Sequence, residues 1–314
     1  MQIKQMISVV IPLYNKSAYV ERAVFSVLQQ TYVNFELIIV NDGSTDDSDV
    51  VVSKISDHRI KYYNQLNKGV SAARNAGVSK ANHAYIAFLD ADDWWEPSYL
   101  AEMVKAIQKY PEEAIFAAGR THVFQNKSVV YANSCIPKNS IIGLVNHYNC
   151  LSKGLPAIHS SNCVVKKKHF LNIGGFNERM NHFEDHECWL RLCLNQSIVF
   201  VNKPLAFYDK STSDSASQQV CASSDLNVYF ETIRTVKQEL SPMLKLKFKK
   251  FYRRFAIWSY LKFAETFSDE DHAMLYHYYA QMLSKGELMI LGHLKHTQIV
   301  PLYQRAKKIV DGRS

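Results

Sequence analysis

The sequence has no C-x-x-C element and no cysteine–histidine pair at metal-binding spacing. Its six cysteines, Cys135, Cys150, Cys163, Cys188, Cys193 and Cys221, are scattered through 314 residues. That scatter excludes a recognisable zinc module or disulfide framework, so free thiols in a reducing compartment are expected. Every apolar run is cut by Pro, Asn, Asp or Lys well short of the roughly 18 to 20 residues a spanning helix needs, and no membrane span is expected. The N-terminal MQIKQMISVVIPLYN lacks a small-residue cleavage site and is too β-branched for a secretory leader, so it reads as a first strand. Low-complexity tracts and internal repeats are also missing, which excludes fibrous architectures.

What is present is ordinary for a folded chain: 47% apolar and 21% charged residues. The net charge of +8 points to an anionic partner: a phosphorylated ligand, a nucleic acid or an anionic membrane face. ISVVIPL (7–13) reads as a strand and AYVERAVFSVLQQTY as a helix. FELIIVND (35–42) is a second strand, and its GSTDD turn leads into the helical DSDVVVSKIS. RIKYYNQ, then VSAARNAGVSKA, then AYIAFLD repeat the alternation. Strands alternating with helices predict an α/β fold with a mainly parallel sheet, which binds ligands beyond the carboxyl ends of its strands. Pro12 to Asn15, Asn41 to Thr45 and Asp90 to Asp93 all fall at such ends and are expected to line one cleft. From about 112 to 215 strands mix with an NIGGFNE turn and a helix, HECWLRLCLNQ. After STSDSASQQ the pattern is helical, dividing the chain into 1–217 and a helical extension, 218–314.

FLDADDWW (88–95) sets three carboxylates at a strand end. Helix capping accounts for Asp93, read as N-cap of WWEPSYLAEMVKAIQ. It accounts less well for Asp90 and Asp92, which repel each other unless a cation lies beside them. A hard divalent ion held by one or two carboxylates and by substrate phosphates is the usual remedy. Arg74 is suited to clamping phosphate oxygens, although a helix arginine is more often a surface ion pair. Asp42 can accept a pyrimidine imide hydrogen and Tyr14 offers a stacking face. Each signal alone is weak.

In this order IPLYN, VNDGSTD, NKGVSAARNAG and FLDADDWW resemble the nucleotide-binding half of the family-2 glycosyltransferases of bacterial polysaccharide and lipopolysaccharide synthesis, inverting enzymes of GT-A fold, over about residues 6–210. The resemblance implies a Rossmann-like mixed sheet flanked by helices. It further implies that Pro12, Tyr14 and Asp42 hold the base, Arg74 approaches the phosphates, and Asp90 and Asp92 take ribose and metal. The implied cofactor is Mn2+ or Mg2+, the donor a UDP-sugar, and the acceptor a glycan or lipid-linked hydroxyl. GGF (174–176) followed by Glu184 and Asp185 continues the pattern, so Asp185 takes the role of catalytic base and Glu184 that of an orienting neighbour. Simple capping of the following helix by these acids is the competing reading, and both can hold.

A zinc site from His182, Glu184 and His186 lacks a cysteine or third histidine at recognisable spacing. His159 either reaches the cleft or packs as a hydrogen-bonded core histidine. One of Trp94 and Trp95 is expected beneath the sheet and the other against a sugar.

In SPMLKLKFKKFYRRFAIW (241–258), cations from Lys245 to Arg254 interleave with apolar residues. This suits an interfacial helix on an anionic cytoplasmic leaflet, or equally a helix packed on its own domain with a solvated basic edge. Membrane contact is the preferred reading and nucleic acid is not expected. The chain is read as cytoplasmic and peripheral to the inner face of the membrane. Two rival functions remain: a sugar-phosphate nucleotidyltransferase, disfavoured because IPLYNKSAYVERA lacks a glycine-rich signature, and a non-catalytic nucleotide- or glycan-binding relative.

Overall fold

The computed structural model describes residues 5–131, 133–136, 142–154, 156–211, 221–263 and 266–295. The boundary expected after residue 217 falls outside these residues. The chain divides into Met1–Val220 and Cys221–Ser314.

The first unit begins with β1 (Ile7–Leu13), α1 (Val20–Leu28), β2 (Phe35–Asn41), α2 (Ser48–Ser53), β3 (Ile60–Asn64), α3 (Val70–Lys80) and β4 (Tyr85–Phe88). It continues through β5 (Trp94–Trp95), α4 (Tyr99–Lys109), β6 (Ile115–Phe124), β7 (Lys127–Val130), β8 (Ile142–Val145) and α5 (His147–Lys153). A 3-10 turn (Ser160–Asn162) then precedes β9 (Cys163–Lys166), α6 (Lys167–Asn172), α7 (Glu184–Leu192) and β10 (Ile198–Asp209). Among the described residues one sheet runs β3-β2-β1-β4-β9-β6-β10-β5, with β7 paired to β6 and β8 to β10. The β3-β2-β1-β4 half is parallel, and β9 is antiparallel to both β4 and β6. Every residue of β1, β2 and β4 is buried, as expected where helices cover both faces of a parallel sheet. The mixed sheet flanked by helices is the arrangement that the family resemblance implies.

Close packing places α3 against the sheet. A Cβ at Gly77 would meet Val10 Cγ1 at 2.3 Å, so only glycine lets this helix sit so near β1.

The reading of Asp93 as a helix cap is corrected. The helix starts at Tyr99 with Ser98 before it, and Trp94–Trp95 instead pair antiparallel with Phe207 and Ala206 of β10. The tryptophans take strand geometry because β10 extends to Asp209 and so reaches them.

The second unit contains α8 (Ser223–Glu239), α9 (Pro242–Phe263), α10 (Asp269–Met282) and α11 (Lys285–Lys295). Its core is aromatic: Phe255 meets Tyr229 at 4.8 Å and Phe230 at 5.9 Å. Phe248, Phe251, Tyr252 and Phe255 are all buried. The aromatic side of the basic segment is thus buried, leaving Met243, Leu246, Lys249, Lys250, Arg253 and Arg254 exposed. Among the described residues no helix is long and apolar enough to cross a membrane.

Candidate active site

The site starts where β1 and β4 part. Leu89 N–H donates to Val10 O (3.1 Å), so Val10 faces β4 and Pro12, two residues on, faces the same side after β4 has ended. A proline is tolerated in this central strand because no ladder partner awaits its missing N–H. The strands separate there, opening a crevice at a point where chain direction reverses around the sheet.

Short polar contacts hold the surrounding loops. Asn15 adopts φ +50°, a left-handed conformation that asparagine accepts more readily than most residues. Its Oδ1 accepts Thr45 N–H at 2.8 Å and its own N–H donates to Ser44 Oγ at 3.1 Å, tying the loop after β1 to the loop after β2. Asp42 is buried, and its carboxylate accepts from Gln65 Nε2 (2.7 Å), Lys68 N (2.9 Å) and Gly69 N (2.8 Å). It therefore organises the Asn67-Lys68-Gly69 loop before any ligand arrives. Tyr14 leaves its ring 44% exposed at the cleft edge.

The acidic tip carries two internal cations. Arg74, its side chain only 4% exposed, donates from Nη2 to Asp90 Oδ1 (2.7 Å) and from Nη1 to Glu184 Oε1 (3.0 Å). Lys16 Nζ lies 2.9 Å from Asp92 Oδ2. The repulsion expected between Asp90 and Asp92 is relieved by the protein itself. The attraction of both carboxylates holds Arg74 firmly protonated against its burial. Asp90 is pushed up by burial, which the Arg74 charge only partly offsets.

Asp93 is fully buried. It accepts hydrogen bonds from Ser161 Oγ and from Asp209 N, the latter at 2.9 Å. Burial, with Asp92 and Asp90 nearby, raises its carboxyl well above the usual range. Ser161 also receives Asp90 N–H on its Oγ (3.2 Å) and Trp95 Nε1–H on its carbonyl (2.6 Å). One serine thereby fixes the backbone of the acidic tip.

The second acidic pair opens α7. Phe183 just before it sits at φ +62°, a conformation costly for an aromatic residue, which turns Glu184 and Asp185 toward Arg74. Asn75 buttresses this approach: its Oδ1 accepts Phe176 N–H (3.0 Å), and its Nδ2 donates to Phe176 O and Glu178 Oε1 (2.9 Å each). Gly175, at φ +70°, brings its backbone so near that a Cβ would stand 2.6 Å from Asn75 Oδ1.

The two acids titrate apart. Burial and the adjacent Asp185 charge raise Glu184 to about 7 despite Arg74. Asp185 is also pushed up by burial, but His186 and Arg74, with the His186 N–H on its Oδ1 at 2.6 Å, outweigh that and leave it below the ordinary value. Neighbouring carboxyls pushed apart in this way suit different proton-handling roles.

Trp95 packs beneath the sheet, stacked on Tyr99 at 4.1 Å. Trp94 stacks on Phe207 (5.0 Å) and carries the Arg22 guanidinium 3.8 Å from its centroid, so both neighbours use the ring faces a sugar would need. His182, Glu184 and His186 do not form a metal-ligand cluster among the described residues. His159 lines the site near Asp185: Nδ1 accepts Ser161 N–H (3.2 Å) and its ring lies 4.5 Å from Tyr208. Burial keeps it neutral, well below the usual histidine value.

A hard cation fits the donor set. Arg74 engages Oδ1 of Asp90 and Lys16 engages Oδ2 of Asp92, so each carboxylate keeps one oxygen with no bond from the described residues.

Comparison with known proteins places this cleft in a family. Residues 8–174 match the model for Glycosyl transferase family 2. The chain belongs to that family. The chain is 31% identical over 201 residues to the Escherichia coli UDP-Glc:alpha-D-GlcNAc-diphosphoundecaprenol beta-1,3-glucosyltransferase WfgD, covering 63% of the chain and 73% of that protein. It is 38% identical over 133 residues to the Streptococcus pneumoniae glycosyltransferase GlyA, covering 42% of the chain but 19% of that longer protein. A Rickettsia felis glycosyltransferase is also spanned only in part, 41% of its length. Residues 1–349 of S. aureus TarS, crystallised with UDP-GlcNAc, superpose with a TM-score of 0.72 at 18% identity, covering 98% of the chain and 93% of the other, a likeness of fold.

Proposed function

We propose that the chain is a metal-dependent inverting glycosyltransferase. It would move a hexose or N-acetylhexosamine from a UDP-sugar to a hydroxyl of a glycan or lipid-linked acceptor in cell-surface polysaccharide synthesis. The carrying observation is the Arg74 bridge: one guanidinium joins Asp90, at the end of β4, to Glu184, 110 residues beyond the arginine. This bridge supports a reading in which the donor end and the base end share one cation and one cleft. The WfgD name, with its UDP-glucose donor and diphosphoundecaprenol acceptor, supports the donor and acceptor classes.

In this reading Tyr14 stacks on the base above Pro12, and Asp42 accepts its imide hydrogen while keeping its loop in place. Arg74 orients Asp90 toward the ribose and approaches the phosphates. Asp90 and Asp92 present their unengaged oxygens to a divalent ion, which when bound offsets charge on the departing diphosphate. Asp185, held ionised by its neighbours, removes the proton of the attacking hydroxyl. The acceptor oxygen bonds to the anomeric carbon, the bond from that carbon to the diphosphate oxygen breaks, and configuration inverts. Such base catalysis contributes about 10²- to 10⁴-fold. Asp185→Asn retains an acceptor for His186 N–H and should fold, while transfer from UDP-sugars falls by about that factor. Transfer at the parent rate, followed by mass spectrometry over a donor panel with Mn2+ or Mg2+, would remove Asp185 from the reaction.

Membrane contact is proposed in narrower form. With the aromatic face of α9 buried, Lys249, Lys250 and Arg254 would meet an anionic leaflet through charge, at about 1 kcal/mol each, on the helix that also exposes Met243 and Leu246.

A further inference from the structure

Two imidazoles, His159 near Asp185 and His122 on β6, take no part in the proposed proton transfer, yet each has its tautomer fixed by a group that can only donate. His159 Nδ1 accepts the Ser161 backbone N–H (3.2 Å), so its ring proton lies on Nε2. His122 Nε2 accepts the Arg120 Nε–H (3.0 Å), so its ring proton lies on Nδ1. Arg120 is itself clamped: it is buried, stands 4.1 Å from the Tyr131 centroid, and donates from both Nη atoms to Pro156 O at 3.1 Å. Burial outweighs the pull of the Asp185 carboxylate and keeps His159 neutral, while burial with the Arg120 and Lys210 charges pushes His122 down to about 3. Neither His159 Nε2–H nor His122 Nδ1–H meets an acceptor among the described residues, and both rings are partly exposed. Both rest against Tyr208, at centroid distances of 4.5 Å for His159 and 5.4 Å for His122. Burial and the charges of Asp93, Asp185, Asp90 and Asp92 hold the Tyr208 hydroxyl protonated, so this ring stands within the field of both acid pairs.

We propose that the Nε2–H of His159 and the Nδ1–H of His122 seat the acceptor sugar, each donating to an oxygen beside the hydroxyl that attacks. This rests on the transferase reading with Asp185 as base. Inversion puts the attacking oxygen across the anomeric carbon from the diphosphate, so a group near Asp185 that bonds neither Asp90 nor Asp92 falls to the acceptor. His159 is such a group, and His122 joins it across the Tyr208 ring. A neutral N–H suits a hydroxyl or carbonyl oxygen of a sugar, whereas a phosphate is better held by a cation. Neutrality also spares the base, because an imidazolium beside Asp185 would stabilise its charge and make it a poorer proton acceptor. Neither histidine can stand in for Asp185: one nitrogen of each already carries a proton and the other already accepts one. Both are positioning residues that select the acceptor.

The test deletes each outward N–H and keeps the inward bond. His159→Asn retains an acceptor for Ser161 N–H at the δ position and has no ε nitrogen; His122→Gln retains an acceptor for Arg120 at the ε position and has no δ donor. With UDP-sugars as donors and octyl glycosides of glucose, galactose and N-acetylglucosamine as acceptors, each variant of the full chain should raise the acceptor KM about tenfold. Donor KM, UDP affinity by calorimetry and thermal midpoint should stay at wild-type values. Nitrogen-15 spectra of histidine-labelled wild type should show the His159 proton on Nε2 and the His122 proton on Nδ1, whether or not either variant folds. The subsite is overturned, and the transferase left standing, by a rise in donor KM instead, by an acceptor KM unmoved in both variants, by the opposite tautomer at either ring, or by wild type that hydrolyses a UDP-sugar without transfer to any glycoside. No turnover of any UDP-sugar by wild type overturns both.

Discussion

Replacing Glu184 by glutamine should change how stability depends on pH. The folded protein raises this carboxyl from 4.5 to about 7, so the folded state holds the proton more tightly than the unfolded chain. Stability linked to that proton is fully present below 4.5 and is lost as pH rises through 7. The gap between the two values corresponds to about 3 kcal/mol. About 2.5 kcal/mol of it falls between pH 5 and pH 8. Glu184 is only 13% exposed on its side chain, so solvent screening removes little of this. Glutamine keeps the shape and an acceptor for Arg74 but does not titrate, so the variant lacks this slope. For a unit of this size the wild-type midpoint should drop by about 5 to 10 °C relative to the variant across that range. Calorimetry on both proteins at pH 5, 6, 7 and 8, following the transition of the sheet-containing unit, provides the comparison. Parallel midpoint curves would show that Glu184 does not hold its proton more tightly when folded, and the division of labour with Asp185 would lose its basis.

Asp42→Ala should weaken UDP binding and also loosen the Asn67-Lys68-Gly69 loop, since three donors lose their acceptor; removing a buried acceptor typically costs about 1 to 3 kcal/mol. Unchanged UDP affinity by calorimetry would end the base-recognition role. Reversing Lys249, Lys250 and Arg254 to Glu should abolish sedimentation with phosphatidylserine vesicles at low salt, while wild-type binding should fade as salt rises. Wild-type protein that fails to sediment would end the membrane proposal.

Much of the cleft was legible because its parts sit at strand ends, and alternating apolar strands with amphipathic helices can be read locally. Tyr14, Asp42, Asp90 and Asp92 are all marked by the apolar run that precedes them. Lys16 was visible too, two residues after Tyr14, but nothing local said that its ammonium would reach Asp92. Ser161 had no signal, since its bonds to Asp93 and Trp95 span 68 and 66 residues. Asp93 looked like a cap because an acid before a helical pattern usually is one. Its pairing with β10 depends on a strand formed more than a hundred residues later.

The alternating fold could be read from the chain alone, because period and spacing are properties of neighbours, and the order of the motifs carried the resemblance to the family. Which acid is charged, which cation sits on which carboxylate, and how the basic helix spends its apolar face were decided only in three dimensions. Burial and charge–charge interaction act through space, and the groups that exert them here are remote along the chain.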